Sequence, residues 1–226
     1  MSEEMKLYYL KNIRLFEKLP EIIFFELSQL LRVKTMCRGE AICYDRGSMS
    51  MIYFVLKGKI KLTEGDDCGN ELVKELLAEG ELFGDLSLDG NPCDDEVAEA
   101  LTSNTMVAYC SVNDFKKLMQ SHPAIALNYA MKVNSKLRRL ESRHADLVFR
   151  DTKSRLIRFI KNWASVDGNR IGDKIILNNY LTHSEIAAFI STSRQSVNVL
   201  LNELRDSGVL CYNRKRIELT DPIVWN

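Results

Sequence analysis

The sequence predicts an α+β protein in three stretches: many short strands, one long helix, and a small helical unit closed by a strand pair. Three observations carry this. From about residue 33 to 111 apolar residues alternate in short runs, and glycines at 39, 47, 58, 65, 69, 80, 84 and 90 break those runs every 4 to 11 residues. Short strands with glycine turns argue for a β-sandwich or β-roll, and closure as a double-stranded β-helix (jelly roll) removes most exposed edges. From about 113 to 149 the apolar period lengthens to that of a helix. Residues 182–210 then read as two short helices joined by a tight turn, followed by two strands around a basic turn: a winged helix-turn-helix.

The 226 residues, 46% hydrophobic, suffice for two domains with separate cores. The expected divisions are a β-roll at 1–121, a helix at 122–150 and the winged unit at 151–226. With no run of 18 apolar residues, no membrane span is expected, and the opening MSEEMKLYYL lacks the pattern of a secretory signal, so a cytoplasmic location is expected. None of the six cysteines forms a CxxC pair, and buried thiols in a reducing compartment are the expectation. A redox pair at Cys37 and Cys43, six residues apart, is the alternative. Formal net charge is zero, but residues 151–226 hold 11 Lys/Arg against 8 Asp/Glu and residues 132–161 hold 10 against 3. Local charge, not the total, governs phosphate contact.

Along the chain, Leu7, Leu10, Ile13 and Leu15 begin an apolar pattern. Pro20-Glu21 fits a helix start, and Phe24, Leu27, Leu30 and Leu31 continue it at helical spacing. Ile52 to Leu56 and the alternation of Ile60 and Leu62 with lysines give strands. His122-Pro123 opens the long helix. Leu127, Met131, Asn134, Leu137 or Arg138, Glu141, Ala145 and Val148 fall on one stripe, which Leu140, Leu147 and Phe149 widen. A partner helix across a two-fold axis would bury that stripe, while packing back on the β-roll is the alternative. After Asp151, residues Leu156, Ile157, Phe159, Ile160 and Trp163 form the apolar side of a further helix. Gly168 and Gly172 bound a loop or short strand, and Ile175 to Leu177 reads as a strand.

In the two-helix unit Thr182 caps the first helix, with Glu185 completing a capping box. Ile186, Ala187 and Ile190 face inward, and Ala187 is small where helices must cross. Ser191-Thr192 makes the turn and Ser193 caps the second helix, whose inner face is Val197, Leu200, Leu201 and Leu204. Arg194, Gln195, Ser196 and Asn198 remain outside. Arg can pair with guanine O6 and N7, and Gln or Asn with adenine N6 and N7, each contact discriminating by about 1–3 kcal/mol. Thr182, His183 and the helix-opening N–H groups suit phosphate, as do Arg214 and Lys215 in the wing turn.

These residues resemble the Crp/Fnr family of transcription regulators. The resemblance rests on Leu181-Thr-x-x-Glu-Ile-Ala187, Thr192-Ser-Arg-Gln-Ser-Val197, Leu200, Leu204 and Gly208. Upstream it rests on Arg38-Gly-Glu40, Gly47, Tyr53-Phe-Val-Leu-Lys-Gly58, Gly80-Glu-Leu-Phe-Gly84 and Asp85. It implies a cyclic-nucleotide-binding-like β-roll, a homodimer held by the long helix, a palindromic double-stranded DNA target near promoters, and RNA polymerase as a further partner. It also implies that Ser193, Arg194, Gln195 and Asn198 lie on the recognition helix. Many members carry a basic residue where this chain has Val199, so the usual half-site is not assumed.

The resemblance implies an effector pocket around Gly84, Asp85, Leu86, Asp94 and Asp95, where nucleotide-binding members hold ribose with a carboxylate and the cyclic phosphate with an Arg. Here Asp94-Asp-Glu96 occupies the phosphate position, and no Arg or Lys occurs between Lys74 and Lys116. Acids there repel a phosphodiester, so cAMP and cGMP are not expected. No cofactor or metal is expected: no cysteine precedes Cys37, against a cluster-type sensor, and His122, His144 and His183 are the only histidines. Two regulatory readings stay open. One is an unidentified small-molecule effector, such as a cation or uncharged metabolite suited to an acidic lip. The other is a roll without ligand control that serves dimerisation and polymerase contact. No enzyme is expected, since HExxH, P-loop, GxSxG and dinucleotide motifs are missing. The competing function is a ligand-responsive β-roll acting through protein contacts rather than DNA.

Overall fold

A computed structural model describes residues 2–43, 50–65, 71–89 and 96–220. The chain forms two compact units, Met1–Arg139 and Leu140–Asn226.

The first unit opens with α1 (Glu3–Lys11) and α2 (Glu21–Leu30). α1 begins four residues before the apolar pattern starts. The Met5 N–H donates to the Ser2 hydroxyl at 3.3 Å, and Glu3 and Glu4 lie at the positive end of the helix dipole. Eight strands follow: β1 (Arg32–Met36), β2 (Ala41–Cys43), β3 (Met51–Lys57), β4 (Ile60–Gly65), β5 (Glu71–Leu77), β6 (Leu82–Gly84), β7 (Glu96–Ala100) and β8 (Thr105–Ser111). They build two antiparallel sheets, ordered β1-β8-β3-β6 and β2-β7-β4-β5, which is the expected jelly roll. Met36, Val55, Ile60, Leu62, Phe83 and Ala98 fill the space served by both sheets. Leu10, Phe16, Leu27, Phe54 and Phe115 form a second core, under the helices. Gly84 has φ +97°, and a Cβ there would stand 2.4 Å from the Met51 carbonyl oxygen, so only glycine fits where β6 meets β3.

A helix without its own place in the sequence reading, α3 (Val112–Ser121), follows β8 and is capped by Ser111. His122-Pro123 then starts α4 (Pro123–Phe149), the expected long helix. The boundary between the two units falls within it.

The second unit contains the end of α4, then α5 (Thr152–Asp167), β9 (Asn169–Ile171), β10 (Lys174–Asn178), α6 (His183–Ile190), α7 (Arg194–Asp206), β11 (Leu210–Tyr212) and β12 (Arg216–Leu219). Asp151 caps α5 by accepting the Ser154 N–H at 2.8 Å. The residues between Gly168 and the turn at Gly172 form a strand, and the wing pair joins it in one sheet ordered β11-β12-β10-β9. No helix among the described residues is long and apolar enough to cross a membrane.

Candidate nucleic-acid interface

α6 and α7 are positioned by their own caps. The Glu185 N–H donates to the Thr182 hydroxyl at 3.2 Å while the Thr182 N–H donates to the Glu185 carboxylate at 2.7 Å, a complete capping box. The Ser196 N–H donates to the Ser193 hydroxyl at 3.0 Å, so the expected second cap also forms. Between them Ser191 takes a left-handed conformation at φ 55°, which ends α6 within one residue. Arg155 of α5 holds this turn from below. Its Nε donates to the Ile190 carbonyl at 3.0 Å and its Nη2 to the Ser191 carbonyl at 3.3 Å. A guanidinium at the carbonyl end of α6 complements the helix dipole. Arg155 carries no local signal of this role, because a side chain that caps a helix more than 30 residues away leaves no pattern in the sequence.

Ile186, Ala187 and Ile190 of α6, and Val197, Leu201 and Leu204 of α7, are buried as expected; Leu200 is only partly so. Leu200 departs from its expected place because it lies at the margin of the buried stripe, one position before Leu201. The side chains of Arg194, Gln195 and Asn198 are exposed and make no hydrogen bond or ion pair with the described residues. Ser196 is partly covered and shares a hydrogen bond with the Ser193 hydroxyl at 2.9 Å, so of the four outward residues it is the one already engaged.

The wing joins this surface through Tyr212. Its ring lies 5.6 Å from the His183 ring, and its hydroxyl donates to Asn202 of α7 at 3.1 Å. One strand residue thereby ties both helices to the wing, a role the sequence reading missed. Burial and the neighbouring Arg194 charge hold His183 below its ordinary pKa. In the wing turn, Asn213 accepts the Lys215 and Arg216 N–H groups at 2.8 and 2.9 Å, leaving Arg214 and Lys215 exposed. The Thr182 hydroxyl donates to Glu185 at 2.8 Å.

In the first unit the residues expected around an effector have a different setting. Asp85 is buried, and both carboxylate oxygens have partners within the chain. The Ser50 hydroxyl donates to Oδ2, while the Ser87 hydroxyl and the Leu88 N–H donate to Oδ1 at 2.6 and 3.1 Å. The Leu86 carbonyl accepts the Tyr129 hydroxyl from α4, and burial with the nearby Asp85 charge pushes that phenol well above its ordinary pKa. Asp94, Asp95 and Gly47 lie outside the described residues. Glu96 accepts Lys74 at 3.0 Å, and Lys74 also meets Glu64 at 2.9 Å.

α4 carries a second set of contacts to β5, β6 and the turn before β6. Lys136 is buried and bonds both Glu75 at 2.7 Å and the Leu82 carbonyl at 2.8 Å. Lys132 and Arg139 meet Glu81 at 2.8 and 3.0 Å, and Arg139 also meets Glu75 at 2.7 Å. Burial alone would raise the Glu81 pKa; hydrogen bonds from Arg139 and Lys132 reverse this and bring it down to about 2. Ile125 and Tyr129 complete the inward face. The expected pairing stripe is on the opposite side, where Leu127, Met131, Asn134, Leu137, Glu141 and Val148 are all exposed. Among the described residues no group of three or more His, Cys, Asp or Glu could hold a metal ion. Cys37 is exposed; the side chain of Cys43 lies outside the described residues.

A roll of the nucleotide-binding kind followed by a winged helix-turn-helix defines a class of DNA-binding regulators, and comparison with known proteins agrees. Residues 33–122 match the cyclic nucleotide-binding domain, and residues 154–223 match the Crp-like helix-turn-helix domain. The global nitrogen regulator of Synechocystis sp. is 27% identical over 192 residues, covering 84% of this chain and 85% of that protein. The cyclic AMP receptor protein of Thermus thermophilus is 27% identical over 213 residues, 94% of each. A CooA mutant from Carboxydothermus hydrogenoformans shares the fold, with a TM-score of 0.75 at 22% identity over 96% of this chain and 92% of that one. The chain belongs to the Crp/Fnr family of DNA-binding transcription regulators. The competing reading, a roll acting through protein contacts alone, is not favoured by a matched DNA-binding domain.

Proposed function

We propose that two copies of the chain pair along α4 and set α7 into successive major grooves of a palindromic promoter site, with neither cAMP nor cGMP as effector. The observation that carries this is the leading face of α7: Arg194, Gln195 and Asn198 stand exposed with their hydrogen-bonding capacity unused by the described residues, while Val197, Leu201 and Leu204 anchor the opposite side. A helix so presented has the chemistry of direct base readout. Thr182, His183, Ser193, Ser196, Arg214 and Lys215 surround it as phosphate-side groups.

The exposed stripe on α4 supports pairing. Leu127 and Met131 are each 64% exposed, and their burial against a second copy is favourable. Residues 127, 134, 141 and 148 recur at the seven-residue spacing of a two-helix seam, with Asn134 and Glu141 favouring one register. For the effector, Asp85 already has partners at both oxygens, and the only basic residue of β5, Lys74, is engaged by Glu64 and Glu96. Both observations favour a roll that takes neither a ribose nor a cyclic phosphate at these residues. Transcription regulation in the cytoplasm, with RNA polymerase as a contact, follows from the family reading. Whether another small molecule enters the roll is decided by the same experiment.

Selection of bound sequences from random duplex DNA, with and without a metabolite extract, tests the proposal. We expect a two-fold symmetric site recovered without the extract, a dimeric mass in solution, and no heat with cAMP or cGMP. Micromolar binding of either nucleotide would overturn the effector part. A monomer indifferent to duplex DNA would overturn the rest.

A further inference from the structure

Val199 is the one exposed apolar side chain on α6 and α7, both of which lie wholly within the described residues. Single exposed apolar residues are ordinary on protein surfaces, so exposure alone means little. Its position is what matters. Val199 is 55% exposed in the second turn of α7, four residues after Gln195 and beside Asn198. Helical spacing puts Gln195 and Val199 on one face, with Arg194 and Asn198 alongside. The next residue along, Asn202, accepts the Tyr212 hydroxyl and is held toward the wing. Val199 therefore stands at the edge of the hydrogen-bonding cluster, where the helix offers shape and apolar surface but no donor.

The major groove presents one apolar group, the C5 methyl of thymine. We propose that Val199 is a specificity-determining residue that selects thymine in each half-site by burying that methyl. The inference rests on the reading of α7 as the DNA-contacting helix and adds a base to it. A cytosine at the same place offers no methyl and sets its N4 amine against an isopropyl group that cannot accept a hydrogen bond. An A·T or G·C pair in the opposite orientation removes the methyl from that strand.

The test uses the full chain and the duplex recovered by sequence selection, with deoxyuridine replacing thymidine one position at a time. Uracil keeps every hydrogen-bonding group and lacks only the methyl. We expect one thymine per half-site whose replacement weakens binding about fourfold, or about 0.8 kcal/mol at 1.4 kcal/mol per tenfold. Replacement in both half-sites should weaken it about sixteenfold, the square of that ratio. V199A should bind the thymine duplex more weakly and lose this sensitivity. V199R should shift the selected base at that position toward guanine, since its guanidinium pairs with O6 and N7. Full affinity for every uracil duplex, or the same uracil effect in V199A, overturns the proposal while leaving α7 as the reading helix. Failure to retard any duplex overturns both.

Discussion

The first two turns of α7 and the segment 81–89 of the β-roll are both rich in polar and charged side chains, and they deploy them in opposite ways. On α7, Arg194, Gln195 and Asn198 project outward with no partner among the described residues. In the roll, the polar groups turn to the chain itself: Asp85 to Ser50, Ser87 and Leu88, the Leu86 carbonyl to Tyr129, and Glu81 to Lys132 and Arg139. Buried polar groups are costly unless paired, so the second pattern is what stability requires. The first pattern is that of a solvated outer helix face, and on a helix within the matched Crp-like helix-turn-helix domain it leaves donors and acceptors available to an external partner. The difference teaches that two regions of one chain can use polar side chains in opposite ways, one leaving them exposed and the other pairing them within the fold.

This contrast can be broken from either side. The largest effect is expected at Arg194→Ala. Loss of one bidentate base contact weakens operator binding at least about tenfold, and about 2–6 kcal/mol when both half-sites are read, while thermal unfolding stays in place. Gel shift and calorimetry check the two halves of that statement. An unfolding change without an affinity change would put Arg194 in the structural class.

Next is Glu81→Gln. The Glu81 carboxylate is held down to about 2, so its stabilising effect is present above the ordinary carboxylate range and is lost as pH falls toward that value. The substitution should remove roughly 3 kcal/mol at neutral pH and flatten the acid limb between about pH 5 and pH 2. Denaturant unfolding across that range reads it out. Asp85→Ala should destabilise the roll by about 1–3 kcal/mol through unpaired donors, with operator affinity within about twofold of the parent. Unchanged stability would remove Asp85 from the structural side of the contrast. The smallest effect is expected at Ser191→Gly. Relief of the left-handed turn should raise stability by less than about 1 kcal/mol, and sequence preference should not move.

Local signals were the legible ones. Thr182 with Glu185 and Ser193 before an apolar run depend on residues close in sequence, and both caps form as expected; the stripe from Leu127 to Val148 is equally local, and its helix forms with those residues exposed. Long-range partners were not legible. Lys136 reads as a surface cation on a basic helix, yet it is buried because Glu75 and the Leu82 carbonyl meet it across more than 50 residues. Ile125, Tyr129 and Val133 also form a helical stripe, but its target, the roll, is defined only once the strands are paired. Asp85 shows the same limit: a carboxylate at a ligand-type position looks identical in sequence whether it faces a ligand or caps its own loop. α3 was overlooked because its apolar period runs into that of α4, with only His122-Pro123 to separate them.

The central claim is that α7 reads base edges in the major groove. Dimethyl sulfate protection of guanine N7 on the selected duplex tests it most directly. The account predicts protection in two major-groove segments about one helical turn apart, with at least one protected guanine in each half-site reopened by Arg194→Ala. Protection that persists unchanged in that variant, or none in the major groove at all, would contradict it.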